Sequence, residues 1–393
     1  MKYNLPKKEF IKFIFILFLL ELFNIPIDES IKNLLKKIRV YLKPQGIKIK
    51  FYKELFENTI KNKTILIIEI NYFHHECLPG FSKYFIDLGY NVDILLSKDG
   101  IDSFSFFKDV ENITLFIFNA QNQIYLCYKN LSTIIKKYDF VLLQTTNSDK
   151  GILFNNLGLT SINNSFFVFH TLNNINILNY SNYLAQNRIF TLGNFSRGLQ
   201  VNPLFFGDIK IKNKNIKTRF FLTSTFQRNY RYLVSAAEKL KSENFNFELI
   251  IIGRTYDFNL KHIPKHLYNN FIFKYRVSYR KLYQAVESSD FILIPLDPNN
   301  ESDLKYRTIQ ASGSIQLAYG FLKPVIINEN FAQIYNLNSE NSLIYNDNNI
   351  YNSMREAIIL DNKKYTILQN NLNKCAKEVY RTSLNNIKKA FNK

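Results

Sequence analysis

Cysteine is scarce in this sequence of 393 residues, and the three that occur form no motif. Cys77, Cys127 and Cys375 are widely separated and show no CxxC spacing. This distribution argues for a reducing compartment and against a disulfide framework or a zinc site. The five histidines form no HExxH or similar ligand set. We therefore expect no bound metal and no metal cofactor.

Long apolar runs are also missing. The longest uninterrupted run near the start covers residues 13–20 and is bracketed by Lys12 and Glu21, whereas a spanning helix needs about 20 apolar residues. No small-residue cleavage site follows, so the segment does not fit a signal peptide. We interpret residues 10–23 as a hydrophobic helix that is either interfacial or packed on the protein.

Positive charge is what the sequence has in excess, with a formal net charge of +19 at pH 7. Residues 1–53 hold twelve Lys and Arg against four acids. There Ser30 caps a predicted amphipathic helix with lysine-rich flanks, and Pro44 ends it. We predict a helical N-terminal extension over 1–60 that binds an anionic membrane surface. Docking of this helix on the protein core is the alternative. We expect no nucleic-acid partner, because no RRM, KH or helix-turn-helix pattern occurs.

Predicted strands and helices alternate through the rest of the chain in two series, separated by the polar stretch 210–217, which we interpret as a linker. The alternation predicts an α/β fold with parallel, doubly wound sheets. A dinucleotide site is poorly supported, because the first strand-to-helix loop, 71–80, lacks GxGxxG. The strands of the first series are predicted at 65–70, 92–96, 114–118, 140–144, 166–169 and 188–192. Those of the second are predicted at 220–224, 247–253, 271–275, 290–295, 325–327 and 342–345.

The stretch 312–328 reads as a loop, a short helix, a proline turn and a buried strand. Ser312 is a natural N-cap, and Gly313 allows a ligand to approach the backbone closely. The N–H groups of that first turn, with the helix dipole, suit an anion such as a diphosphate. The alternative is an ordinary αβ unit whose helix end binds nothing.

This stretch resembles the signature of the second domain of GT-B glycosyltransferases, of the large retaining, family-4-like group. Ala318 and Pro324-Val325 match it. Two glutamates eight positions apart normally belong to the signature, but Ile309 and Leu317 stand there, and Leu322 replaces a glycine. The sequence is similar to the surface-polysaccharide transferases that carry a Ser-Gly-Ser turn.

The resemblance implies two facing Rossmann-like domains: an acceptor domain over 61–205 and a nucleotide-sugar donor domain over 206–393, whose last helix returns to the first. It implies a hexosyltransferase-like enzyme that uses a nucleotide-diphosphate sugar and a lipid-linked or glycan acceptor. The resemblance to the retaining group favours retention, whereas the missing glutamate pair leaves inversion open. Its place would be cytoplasmic, peripheral on the inner face of the cell membrane, in surface-polysaccharide assembly. A sugar-nucleotide epimerase of the same fold and a catalytically inactive scaffold remain open, and the missing glutamates favour the scaffold.

Two arginines follow predicted strands of the second series. Arg228 comes after 220–224 and Arg254 directly after 247–253, at strand ends where open α/β sheets bind ligands. Arg228 looks like the basic residue that contacts the donor diphosphate in the family. We expect these arginines to converge with the turn at 312–314. The complete predicted donor site is Arg228, Arg254, Lys305, Ser312, Gly313 and Ser314.

The catalytic candidates lie in the first series. His170 ends the strand 166–169 and resembles the strand-end histidine that faces the cleft in the family; a hydrogen-bonded core histidine is the alternative. His75 and Glu76 lie beside His74 in the first strand-to-helix loop, which in the family faces the acceptor. One of these three would act as a base or acceptor contact, unless they are ordinary polar loop residues. Adjacent histidines diverge, so a shared metal is not expected.

Glu301 and Asp303 are further donor candidates. They follow Asp297-Pro298 in a predicted loop, and from this position they would contact the donor sugar in place of the missing glutamates.

Overall fold

The computed structural model describes residues 47–392, except 59, 61, 73, 108–110, 119–130, 132, 147–163, 173–179, 194–196, 225–229, 254–262 and 347–348. These residues belong to one unit, Pro44–Lys393. The predicted helices over 10–43 lie outside them. Among the described residues, no helix is both long enough and apolar enough to cross a membrane.

The first sheet has eight strands in the described part of the chain, and every pairing is parallel. They are β1 Lys48–Phe51, β2 Thr64–Glu69, β3 Asn91–Ser97, β4 Ile113–Phe118, β5 Phe140–Leu143, β6 Ser165–Phe169, β7 Ile189–Thr191 and β8 Leu199–Gln200. The order is β1-β4-β3-β2-β5-β6-β7-β8. From the β2–β5 pair, chain order runs outward through β3 and β4 on one side and through β6, β7 and β8 on the other, with β1 added at the edge beside β4. The topological switch point therefore lies between β2 and β5.

The second sheet has six parallel strands among the described residues, in the order β11-β10-β9-β12-β13-β14. They are β9 Thr218–Ser224, β10 Phe247–Gly253, β11 Phe271–Tyr275, β12 Phe291–Ile294, β13 Val325–Asn328 and β14 Ser342–Tyr345. Its switch point lies between β9 and β12. Strands such as β13 are buried along their whole length, as apolar strands of a sheet covered on both faces must be. The predicted architecture of two Rossmann-like sheets is confirmed.

Helices cover the two sheets. The α-helices are α1 Leu78–Asp87, α2 Ser181–Ala185, α3 Arg231–Ser242, α4 Tyr279–Ser288, α5 Glu301–Thr308, α6 Gly313–Phe321, α7 Glu329–Ala332, α8 Ile350–Ile359 and α9 Asn362–Phe391. Short 3-10 helices cover Tyr52–Leu55, His75–Cys77, Lys98–Phe104, Ile135–Lys137, Lys265–Asn270 and Gln333–Tyr335.

Helix α9 connects the two cores. Leu372 and Val379 pack into the core of the second sheet, whereas Ile387 packs into that of the first. At its end the ring of Phe391 stacks on Phe140, with ring centroids 3.8 Å apart. Apolar residues at helical spacing along one face of α9 therefore pack first into the core of the second sheet and then into that of the first.

The chain passes from β8 to β9 through residues 201–217, and none of residues 210–217 is buried. The earlier part of this crossing packs tightly between helices α1 and α6. A Cβ atom on Gly80 would lie 2.4 Å from the backbone of Pro203, and one on Gly320 would lie 2.2 Å from the ring of Phe206. These two glycines let the crossing segment approach both helices.

Two local expectations are wrong. Residues 48–51 fall within the range predicted as a helical extension, yet they form β1 and pair with β4. Their alternation of lysine with an apolar residue has the period of a strand. The predicted loop at 301–303 is the start of α5, and the side chain of Asn300 caps it by accepting from the Ser302 N–H at 3.1 Å.

Candidate functional site

Three polar side chains meet where β2, β5 and β6 end. Glu69 is the last residue of β2, Thr145 follows β5, and His170 follows β6. The Thr145 Oγ1 lies 2.6 Å from Glu69 Oε2 and 3.3 Å from His170 Nε2. Carboxyl ends of neighbouring parallel strands share one edge of a sheet. Glu69 and Thr145 flank the switch point, where such sheets bind ligands, and His170 lies one strand further along.

Glu69 is fully buried. Its Oε1 accepts hydrogen bonds from the backbone N–H and the side-chain amide of Asn71, each at 2.8 Å. Burial raises the pKa of the Glu69 carboxyl to about 8, although the hydrogen bonds from Thr145 and Asn71 act in the opposite direction. The carboxyl therefore keeps its proton at neutral pH.

Thr145 has a left-handed backbone, with φ of 58°. This region is strained for a β-branched residue, because the Cβ atom crowds the backbone. Such strain persists where the surroundings impose it, and it concentrates at functional sites.

His74 joins this group from the loop after β2. Its ring lies 3.9 Å from the ring of His170, centroid to centroid, and its Nδ1 lies 3.2 Å from Glu76 Oε1. Burial and the neighbouring His74 lower the pKa of His170 well below its usual range. The His170 ring is therefore neutral at neutral pH.

His75, the predicted candidate, points into the protein instead. Its side chain is fully buried, a Cβ atom on Gly100 would lie 2.5 Å from its ring, and its Nε2 lies 3.3 Å from Ser97 Oγ. His74 has a left-handed backbone, with φ of 68°, and it is His74 that meets His170.

Glu76 contacts helix α4, which belongs to the second half of the fold. Its Oε2 accepts a hydrogen bond from the hydroxyl of Tyr279, at the start of α4, at 3.0 Å. Its carboxylate is about one-fifth exposed, at 21%. Glu76 thus lies at the boundary between the two halves of the described fold.

The start of α6 forms the other side of the site. Ser312 is the N-cap, with extended backbone, and Ser314 Oγ lies 2.8 Å from Thr223 Oγ1 at the end of β9. A Cβ atom on Gly313 would meet none of the described residues within 4 Å. As far as the described residues go, the first turn therefore borders open space, as a ligand approaching its N–H groups requires.

Backbone contacts join the two sides. Thr171 and Gln310 form an antiparallel bridge, and the Leu172 N–H donates to the Ile309 carbonyl at 2.8 Å. His170 immediately precedes this bridge, and Ser312 follows it by two residues. The structure therefore brings His170 and the turn at 312–314 into one region, which we call the interdomain site.

Several predicted residues have other environments. Leu317, at a position of a missing glutamate, packs into the core of the second sheet. Asp303 is buried and accepts a hydrogen bond from the Asp297 backbone N–H at 3.1 Å, whereas Glu301 is exposed. Lys305 lies on α5, with its Nζ 5.5 Å from the ring of Tyr306.

Arg228 and Arg254 lie outside the described residues. The strands that precede them are described: β9 ends at Ser224 and β10 ends at Gly253, so both arginines follow strand ends. Among the described residues, no group of three His, Cys, Asp or Glu side chains could hold a metal ion.

Glu69 and Thr145 were missed by sequence reasoning. An acid that ends an otherwise apolar strand, TILIIE, was the available signal for Glu69. For Thr145 the sequence offered none, because its left-handed backbone is set by tertiary structure.

No protein-family model and no curated protein matches the sequence. A glycosyltransferase from Rickettsia africae ESF-5 matches in structure with a TM-score of 0.54 and 16% identity, over 84% of this chain and 98% of that one. WaaG, a glycosyltransferase involved in lipopolysaccharide biosynthesis, gives 0.46 and 11%, over 83% and 98%. Alr3699/HepE from Anabaena, solved in complex with UDP, gives 0.46 and 12%, over 83% and 99%. The likeness to the Rickettsia protein shows a shared fold, and the two-sheet architecture is that of GT-B.

Proposed function

We propose that this protein is a glycosyltransferase that moves a sugar from a nucleotide-diphosphate sugar to a lipid-linked or glycan acceptor in cell-surface polysaccharide assembly. The observation that carries the proposal is the bridge between Thr171 and Gln310. It places His170 and its partners beside the start of α6. Sugar transfer needs a positioned proton acceptor and a stabilised leaving group, and the two sides of the interdomain site supply one each.

The start of α6 is the proposed diphosphate site. A helix N-terminus contributes about half a unit of positive charge, which is too little for a diphosphate. In the proposal Arg228 and Arg254, which follow β9 and β10, supply the rest, with Lys305 from α5. A guanidinium suits this role because its planar fork donates two hydrogen bonds to phosphate oxygens.

The loop after β2 and the end of β6 form the proposed acceptor side. There Glu76 and His170 keep the roles that the resemblance implies, and His74 takes the place of His75 because its ring is the one beside His170. We propose retention of the anomeric configuration, on the resemblance of the α6 signature to the retaining group. NMR of the product's anomeric proton checks this point.

A catalytically inactive scaffold is the second candidate. The supporting observation is Leu317, which is buried in the core at a position where the family carries a glutamate. A scaffold of this kind binds a nucleotide without turning over its sugar.

Arg228→Ala tests the proposal. We expect turnover of the preferred UDP-, GDP- or dTDP-sugar to fall on the order of a hundredfold, as when an oxyanion donor is lost. Arg228→Lys should recover part of it, because a point charge replaces a fork. Release of the nucleoside diphosphate measures turnover, and thermal shift with the nucleotide measures binding.

Arg381→Ala is the matched control, since Arg381 is exposed on α9 and should leave turnover unchanged. Full activity and full nucleotide affinity in Arg228→Ala would remove Arg228 from the site. A nucleotide-dependent thermal shift with no turnover of any sugar in the wild-type protein would favour the scaffold.

A further inference from the structure

Glu69, Thr145 and His170 form a continuous hydrogen-bonded chain. The two links are 2.6 Å and 3.3 Å long, and all three side chains are buried, with exposed fractions of 0%, 1% and 7%. Thr145 is the middle member and has one hydroxyl proton, so it donates to one neighbour and accepts from the other.

The contacts of Glu69 determine which oxygen carries a proton. Oε1 already accepts from two N–H donors of Asn71, so a proton on this carboxyl belongs on Oε2, which faces Thr145. With that proton present, Glu69 donates to Thr145 and Thr145 donates to His170 Nε2. The neutral ring then carries its proton on Nδ1.

We propose that Glu69 and Thr145 act as positioning residues that set the tautomer of His170 and carry protons to and from its ring. When Glu69 is ionised, the Thr145 hydroxyl donates to Oε2 and accepts from Nε2–H. The lone pair of the ring then lies on Nδ1, which is a base. The protonation state of a carboxyl that is shielded from solvent thus decides whether Nδ1 of His170 donates or accepts.

The protons balance in this exchange. A proton taken up at Nδ1 is matched by transfer of the Nε2 proton to Thr145 and of the Thr145 proton to Glu69. The ring therefore accepts a proton without becoming an imidazolium, a charged form that burial disfavours. The charge change falls on Glu69, where burial has already raised the pKa to about 8.

Other titratable groups surround these three hydrogen-bonded side chains. The ring of His74 lies against that of His170, tilted by 35°, and the charge of Glu76 acts on both Glu69 and His170. Cys77 is buried nearby, and burial with the charges of Glu76 and Glu69 raises the pKa of its thiol. Tyr279 reaches the group from α4 through Glu76. In the described structure the Thr145 hydroxyl contacts two titratable groups, His170 on one side and Glu69 on the other.

The tautomer exchange stands on the geometry, whereas its use in sugar transfer rests on the proposed function. In transfer, Nδ1 of His170 would receive the proton that the acceptor hydroxyl loses, and Glu69 would store it. The tautomer exchange and its use in sugar transfer are therefore measured separately.

The first measurement is ¹⁵N NMR of the histidine rings in the full-length protein, with His170→Gln used to assign the signals. We expect the neutral His170 ring to change from the Nδ1–H to the Nε2–H tautomer as pH rises, with a midpoint near pH 8. Glu69→Gln should hold the Nδ1–H tautomer throughout, because its amide always donates to Thr145. Thr145→Val should abolish the step, and Thr145→Ser should keep it.

One tautomer of the wild-type ring across the range from about pH 6 to about pH 10 overturns the proposal. So does an unchanged step in Glu69→Gln or in folded Thr145→Val.

The second measurement is the pH profile of sugar transfer. We expect activity in the wild-type protein to rise with pH near 8 and the Glu69→Gln variant to lose that rise. If NMR shows the exchange and no sugar is transferred, the proposed function fails and the exchange stands. If transfer occurs and Glu69→Gln keeps the wild-type pH profile, the tautomer exchange has no role in sugar transfer.

Discussion

At the residue scale, Glu69 makes the stability of the protein depend on pH. Its pKa is raised from 4.5 to about 8 in the folded state by burial. Between these values the folded protein keeps a proton that the unfolded chain releases. The free energy of unfolding therefore falls as pH rises through this window, because the folded state binds more protons.

Glu69→Gln should remove that dependence. The amide keeps the shape of the protonated carboxyl and has no proton to lose. We expect the variant to gain stability over the wild type as pH rises from 5 to 8, by on the order of a few kcal/mol, since one pKa unit corresponds to about 1.4 kcal/mol. Urea denaturation at both pH values measures the difference.

Glu340→Gln is the matched control, because Glu340 is exposed and should show no such trend. An equal stability difference between Glu69→Gln and the wild type at pH 5 and pH 8 would contradict the raised pKa.

The sequence located some site residues and missed others for physical reasons. His170 was predictable because a histidine that ends an apolar strand lies at the edge where sheets bind ligands. The choice between His74 and His75 was not, since it depends on a backbone angle, the φ of 68° at His74. Thr145 was missed because register and strain at the end of β5 arise from the packed sheet.

At the element scale, α6 ends in a left-handed turn although no glycine stands there. Leu322 stands where the family has glycine, yet it takes the left-handed conformation, with φ of 53°. The Lys323 N–H then donates to the Ala318 carbonyl at 3.0 Å, which closes the helix. The helix and strand of this unit were predictable because their turn chemistry is local, whereas α5 was missed because its cap, Asn300, was not recognised.

Two glycines of α6 should respond oppositely to alanine. In Gly320→Ala the new Cβ would lie 2.2 Å from the ring of Phe206 and 2.5 Å from the Leu204 carbonyl. Backbone cannot shift cheaply, so we expect a loss of about 1 to 3 kcal/mol. The new Cβ of Gly313→Ala would touch no described residue within 4 Å, so this variant should be neutral or gain up to about 1 kcal/mol. Thermal and urea unfolding of both variants measure the contrast.

Gly313→Ala is the internal control for helix propensity, because both glycines belong to one helix. Equal stability of the two variants would show that the crossing segment, 201–207, does not pack on Gly320 as described.

At the scale of the whole molecule, the parallel sheets and their alternation with helices were predictable from the periodicity of apolar residues. How the two sheets meet was not, because contacts such as the bridge from Thr171 to Gln310 join distant parts of the chain. The edge strand β1 was also missed, since its partner β4 lies more than sixty residues further along the chain.

The excess positive charge leads to a prediction about membranes. We expect the full-length protein to float with liposomes that contain anionic lipid, and salt to weaken the binding, because screening shortens the reach of surface charges. Replacing Lys32, Lys36 and Lys37 together by Gln should weaken it by on the order of a hundredfold, since each lysine near an anionic surface contributes about 1 kcal/mol and about 1.4 kcal/mol is a factor of ten. Flotation with and without anionic lipid measures it.

The matched control replaces Lys363, Lys374 and Lys377, which are exposed on α9, and changes the net charge equally. The same loss of binding in both triple variants would show that overall charge, rather than the N-terminal segment, governs association. Binding that needs no anionic lipid would contradict a peripheral electrostatic mode.

Helix α9 has a consequence for how the protein is made. Phe140 belongs to a strand that leaves the ribosome early, yet the ring that covers it, Phe391, is translated long afterwards. Domains commonly fold as they emerge, N-terminal part first. In this protein, the surface of the first sheet around Phe140 stays uncovered during synthesis until the second sheet and α9 have been translated. During that interval a nascent chain of this protein would need a chaperone, or fast translation of its second half, to avoid aggregation.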